Sequence, residues 1–171
     1  MWRAAFVLAL ASLGLTGCFV SKGPLVTEDK AVFPYKKIVY VTQGSSEERT
    51  LIQKGSAYVD ETKSSSDSDA HVRLLEVADN LYVVQVDVTE NNEVQYFYAL
   101  LKVDLGSKTI LEYKALAGDA DTDPGPGLSR CDREGEEQVC IDQLDAYVAY
   151  ARRAIDGGTK PDTAYTIISL E

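Results

Sequence analysis

Histidine is almost missing from this chain, which has one, His71, among 171 residues. Methionine and tryptophan also occur once each, as Met1 and Trp2, and cysteine occurs three times. Without a second histidine, a Cys-His catalytic couple or a zinc hydrolase site is disfavoured. His71 itself follows a polar loop and reads as a strand-edge residue. Neither a Gly-rich phosphate loop nor a G-x-S-x-G elbow is present. A carboxylate-pair enzyme would leave no spacing signature, and nothing singles out catalytic acids. The expectation is therefore a protein that is not an enzyme, with no catalytic residue and no cofactor. Basic residues are in deficit too: 17 Lys and Arg stand against 27 Asp and Glu, a formal charge of −10. Nucleic acid, whose phosphates call for Lys/Arg patches, is an unsuitable partner. The sign suits a cationic partner, although acidity is also an ordinary route to solubility. Long hydrophobic runs are lacking as well. The longest, Ala4 to Leu15, has twelve residues, against the twenty or so that a membrane-spanning helix needs, so an integral membrane protein is not expected.

What surrounds that run is informative. Arg3 precedes it, and the small residues Thr16 and Gly17 follow, which gives the three parts of a secretory signal. The quartet Leu15-Thr16-Gly17-Cys18 resembles the lipobox of bacterial lipoproteins. The resemblance implies that residues 1–17 are a signal peptide, and that Cys18 becomes the acylated first residue of the mature chain. Several acyl chains would anchor it firmly, since each buried methylene adds about 0.8 kcal/mol and one chain alone holds only marginally. Phe19 stands where an aspartate would retain such a protein in the inner membrane, so the expected location is the periplasmic face of the outer membrane. Residues 18–34 (CFVSKGPLVTEDKAVFP) show little periodicity and carry Pro24 and Pro34; they read as the lipidated cysteine and a tether. Residues 35–171 then form a single β-rich domain.

With Cys18 assigned to lipid, Cys131 and Cys140 remain as an even pair in an oxidising compartment, and a structural disulfide is expected. It would close the ten-residue stretch CDREGEEQVC and contribute about 2–3 kcal/mol if unstrained.

Strand signals dominate the rest: KKIVYVTQ (36–43), TLIQ (50–53), SAYVDE (56–61), HVRLLEV (71–77), NLYVVQVDV (80–88), EVQYFYALLKVD (93–104) and TILEYKA (109–115). A two-residue turn at Asn91-Asn92 sets Val88 against Gln95, Val86 against Phe97, Val84 against Ala99 and Tyr82 against Leu101. This face is almost wholly apolar. The opposite face pairs Asp87 with Tyr96, Gln85 with Tyr98 and Val83 with Leu100, and it is wetter. On it, Tyr96 and Tyr98 are placed to contact a ligand, a partner or the helix, and helix packing is favoured. For the next turn, a three-residue loop at 105–107 sets Leu101 against Leu111 and Ala99 against Tyr113. The alternative puts Glu112 opposite Leu101 and is disfavoured on apolar grounds.

From Asp142 the pattern turns helical, with Ile141, Leu144, Val148, Ala151 and Ile155 on one stripe and Gly157-Gly158 as the stop. AYTIISL (164–170) reads as a returning strand. The fold class is thus mainly β (α+β): an antiparallel meander of about seven or eight strands, curled or closed as a small barrel, with one C-terminal amphipathic helix and a closing strand. That architecture is similar to the lipocalin-like barrel, although the mature chain has no tryptophan for that family's Gly-x-Trp signature.

Between sheet and helix lies the acid-rich stretch 118–140, read as a long loop. Residues 119–145 hold Asp119, Asp121, Asp123, Asp132, Glu134, Glu136, Glu137, Asp142 and Asp145 against Arg130 and Arg133, a local charge of −7. The first three alternate as in a Ca²⁺ loop. However, Pro124 holds the place of the required Gly and Arg130 that of the bidentate Glu, so a solvated loop is favoured over a metal site. The functional expectation is a lipid-anchored binding module that meets a basic envelope protein through the stapled acidic loop. The alternative is a carrier of a small apolar ligand inside the barrel.

Overall fold

A computed structural model describes residues 19–62, 70–90, 92–114, 124–133 and 136–171. The strands are β1 (Phe19–Ser21), β2 (Lys37–Thr42), β3 (Glu48–Lys54), β4 (Ala57–Asp60), β5 (His71–Ala78), β6 (Leu81–Glu90), β7 (Glu93–Asp104), β8 (Thr109–Tyr113), β9 (Leu128–Arg133), β10 (Glu136–Ile141) and β11 (Thr163–Leu170). One helix, α1 (Leu144–Asp156), separates β10 from β11.

Eight of the strands close on themselves. The hydrogen-bonded order β6-β5-β4-β3-β2-β11-β8-β7 is completed by the β6–β7 pair, and every pairing in the ring is antiparallel. The fold is therefore a closed eight-stranded barrel with a helix near the C-terminus and β11 as the closing strand; the strand pattern predicts a meander curled or closed, and the ring is closed. A barrel of this size has an interior just wide enough for side chains. Here Ile38, Tyr40, Tyr58, Tyr82, Tyr165 and Ile167, among others, fill it as one buried cluster.

The β6–β7 register is the one read from the letters: Val88 opposite Gln95, Val86 opposite Phe97, Val84 opposite Ala99 and Tyr82 opposite Leu101. The next register differs from expectation. Leu101 lies opposite Glu112 and Leu100 opposite Tyr113, with Leu105 to Lys108 forming the connection. Matching apolar with apolar fails here because Glu112 is a satisfied polar residue of the interior. It is 3 % exposed, accepts a hydrogen bond from Tyr165 Oη, and pairs with Lys114 Nζ at 3.2 Å. A buried carboxylate with two such partners escapes most of the penalty of an unpaired one.

The face expected to be wetter is covered. Helix α1 lays Tyr147 and Ala151 on the outer wall of β6, β7 and β8. Tyr147 packs 6.2 Å from Tyr98 and 4.8 Å from Phe19, ring centre to ring centre. The stripe is centred on Tyr147, whereas Ile141 belongs to β10. Strands β6 and β7 are thus buried on both faces, which explains the nearly continuous apolar run YFYALL. The approach of the helix to β9 depends on Gly127. Its φ is +82°, a Cβ there would lie 2.7 Å from that of Ala146, and its carbonyl accepts the N–H groups of Asp142 and Gln143.

Three strands lie outside the ring, and all three fall where no strand was expected. Strand β7 has twelve residues, of which β8 pairs only with Leu100–Asp104. The free part of the same edge, Tyr96–Tyr98, is taken by β1. Strand β1 then pairs in parallel with β10, and β10 pairs with β9. Part of the expected acidic loop is therefore a β-hairpin, and part of the expected tether is a buried strand. Farther along, Phe33 packs against the interior residues Tyr58 and Tyr82 although it belongs to no strand, so it closes one end of the barrel.

The tyrosine-rich interior carries a pH dependence. Burial, and then the charge of Asp60, push the Tyr40 phenol up to about 12; an unfolded chain ionises near 10. Above about pH 10 the unfolded state therefore binds fewer protons than the folded one. Stability should then fall as pH rises, by roughly 1 kcal/mol per pH unit from Tyr40, until about pH 12. Urea midpoints measured from pH 9 to 12 should decline as pH rises, while the tyrosinate absorbance of the unfolded protein rises at lower pH than that of the folded one. A flat midpoint over that range contradicts the assigned burial.

Candidate functional site

The site is built around the N-terminal strand. Phe19 and Val20 are each 2 % exposed and Val26 is fully buried. What holds this segment is a polar latch on the outer wall. Gln85 of β6, itself fully buried, uses Oε1 to accept hydrogen bonds from the backbone N–H of Leu25 (2.9 Å), that of Val26 (2.8 Å) and the hydroxyl of Tyr98 (3.0 Å). Its amide donates from Nε2 to Asp87 Oδ1 at 2.7 Å, and Asp87 in turn pairs with Arg73. Ser21 Oγ lies 2.8 Å from Tyr98 Oη and donates to the Gly23 carbonyl. Burial pushes the Tyr98 phenol up, so the group stays protonated and able to donate. One side chain thus satisfies two backbone donors of a segment with little secondary structure, which would otherwise be costly to bury.

On the other side of β1 stands the hairpin. Cys131 and Cys140 are disulfide-bonded, with Cα atoms 5.8 Å apart. Cys140 sits beside Val20 in the parallel pair, so the staple adjoins the N-terminal strand. Asp132 of β9 and Glu137 of β10 lie opposite each other in the hairpin, both exposed, and Glu137 pairs with Arg130. Glu136 is in β10. Cys18, Asp119, Asp121, Asp123 and Glu134 lie outside the described residues. Between the hairpin and the turn after β1 opens a cleft of about 480 Å³, lined by Lys22, Pro24, Arg130, Cys131, Cys140 and Asp142 among others.

His71 is exposed at the start of β5. Among the described residues no three His, Cys, Asp or Glu side chains converge as metal ligands, and no helix is long and apolar enough to cross a membrane. Comparison with known proteins brings no relative: no family model, curated protein or solved structure matches the chain.

Sequence reasoning located the disulfide and missed the latch. A signal was present. Gln85 and Asp87 are polar, yet Val83 and Leu100 share their face, which marks a locally satisfied polar pair under a covering layer.

Replacing Gln85 with Leu removes the acceptor of the Val26 N–H and leaves the Leu25 N–H only the Tyr98 hydroxyl, at 3.1 Å; it should cost about 1–3 kcal/mol. Hydrogen exchange at residues 20–26 should speed up more than exchange in β2–β5. Uniform acceleration across the molecule would show that Gln85 is not a local latch.

Proposed function

We propose that the chain is a lipid-anchored, non-catalytic binding module of the bacterial cell envelope. It is acylated at Cys18, stands on the periplasmic face of the outer membrane, and engages a basic envelope protein through the stapled hairpin. The observation that carries this reading is the hairpin itself: a disulfide-pinned pair of strands that presents Asp132 and Glu137 to solvent beside the N-terminal strand. A rigid acidic surface adds specificity and association rate when it meets a complementary patch. The lipobox-like quartet before Phe19 supports the anchor. The alternative, an apolar-ligand carrier, draws support from the closed barrel alone, and the buried tyrosines and Glu112 within that barrel speak against it.

Two outcomes are expected in cells. Cys18→Ser should move the protein from the washed membrane fraction to the soluble periplasm, and persistence in the membrane contradicts lipidation. Joint replacement of Asp132 by Asn and of Glu136 and Glu137 by Gln should weaken cross-linking to a basic envelope protein several-fold and leave the thermal midpoint unchanged. Undiminished cross-linking removes the hairpin from the interface.

A further inference from the structure

The position of β1 bears on how an acylated chain stands on a membrane. An acylated residue 18 is bonded directly to Phe19, and consecutive Cα atoms are only about 3.8 Å apart. Phe19 is already a buried strand residue, pinned between Tyr98 and Val139. The anchor therefore has no spacer between lipid and fold.

Two flanks meet at this end of the molecule. Along the edge of β7, Phe19 pairs with Tyr98 and Tyr113 with Leu100, so the start of β1 and the exit of β8 lie about 7 Å apart at the rise of an extended strand. The exit of β8 is tied to the segment after α1: the N–H of Lys114 donates to Asp162 Oδ2 at 2.7 Å, and the N–H of Asp162 donates to the Glu112 carbonyl at 2.8 Å. Helix α1 crosses here too, with the Tyr150 ring 5.7 Å from that of Phe19. Arg152, Arg153 and Lys160 follow within ten residues of Tyr150, and all three are exposed. Asp156 and Asp162 are interspersed with them; Asp162 already accepts from Lys114. The flank on the other side of β1 is the hairpin, where exposed Asp132 and Glu137 stand with exposed Arg130, which pairs with Glu137.

We propose that the domain lies flush against the bilayer with the cationic helix flank toward phospholipid headgroups, so that the acidic hairpin is left to solvent. The proposal rests on acylation of Cys18. Anionic headgroups attract Arg152, Arg153 and Lys160, whereas Glu137 of the hairpin is already paired with Arg130; the acylated residue bonded to Phe19 is the pivot. This disposition leaves the hairpin accessible to a protein partner while the anchor is engaged.

The mature chain has no tryptophan of its own, so a single introduced tryptophan reports one place. Ala149→Trp samples the exposed face of α1 close to the arginines. Val94→Trp samples the tip of the β6–β7 hairpin, toward which β1 runs away from residue 18. Each full-length variant is purified from bacterial membranes and reconstituted in vesicles of phosphatidylethanolamine and phosphatidylglycerol that contain a headgroup nitroxide lipid. Mass spectrometry of the N-terminal peptide from the same preparations reports acylation.

The Ala149→Trp emission should be quenched several-fold more than that of Val94→Trp. Reversing Arg152, Arg153 and Lys160 to Glu should abolish the difference without releasing protein from the vesicles. An acylated peptide with equal quenching at the two probes, or with a difference that survives charge reversal, overturns the orientation and leaves the anchor standing. An unacylated peptide overturns both.

Discussion

Strand β7 is longer than the neighbour that closes the barrel, and the rest of the molecule follows from that mismatch. Its twelve residues pair with β6 along one edge, but β8 reaches only the last five positions of the other. The remaining N–H and C=O groups would form an open edge under a helix, where water cannot satisfy them. Strand β1 fills that gap. Its own outer edge is filled by β10, and β10 in turn is paired by β9, so the second layer grows outward from one stretch of β7. The helix roofs the junction, with Phe19, Tyr98 and Tyr147 as its centre.

This arrangement relates polar and apolar burial in an uncommon way. The barrel interior is built mainly from tyrosines and branched aliphatics, with Glu112 held by Tyr165 and Lys114. The polar latch lies on the outer wall, beneath the N-terminal segment, where Gln85 and Asp87 are 0 % and 8 % exposed. Apolar side chains alone could cover the segment, but they could not satisfy the N–H groups of Leu25 and Val26. A carboxamide offers an acceptor to those groups and a donor to Asp87, without the desolvation cost of a second carboxylate.

Much of the ring was legible in the sequence because its strands alternate and their turns carry suitable residues; Asn92, at the β6–β7 turn, has a φ of 65°. The β6–β7 register could be read pair by pair because a slip would have mixed two distinct faces. The β7–β8 register could not, because the rule that apolar residues oppose apolar ones has no means of anticipating a buried Glu112 whose partner, Tyr165, lies more than fifty residues away. Strand β1 escaped notice because three residues show no period. Strands β9 and β10 did so because their exposed acids outweigh Leu128, Val139 and Ile141. The disulfide was legible from cysteine parity and spacing. The latch needed the knowledge that residues 19–26 cover that face, and local pattern holds no such information.

The parallel pairing of β1 with β10 also bears on the order in which the chain matures. Phe19 is among the first residues of the domain to be synthesised, and its partner Val139 lies about 120 positions later. Contacts of such long sequence separation cost the most loop entropy and slow folding. The eight-stranded ring needs none of residues 19–21 for its own pairing, so its hairpins can assemble while the β7 edge at Tyr96–Tyr98 waits for β1. In that interval the edge is a template for any extended segment nearby. Pairing of β1 with Tyr96–Tyr98 is what removes that template.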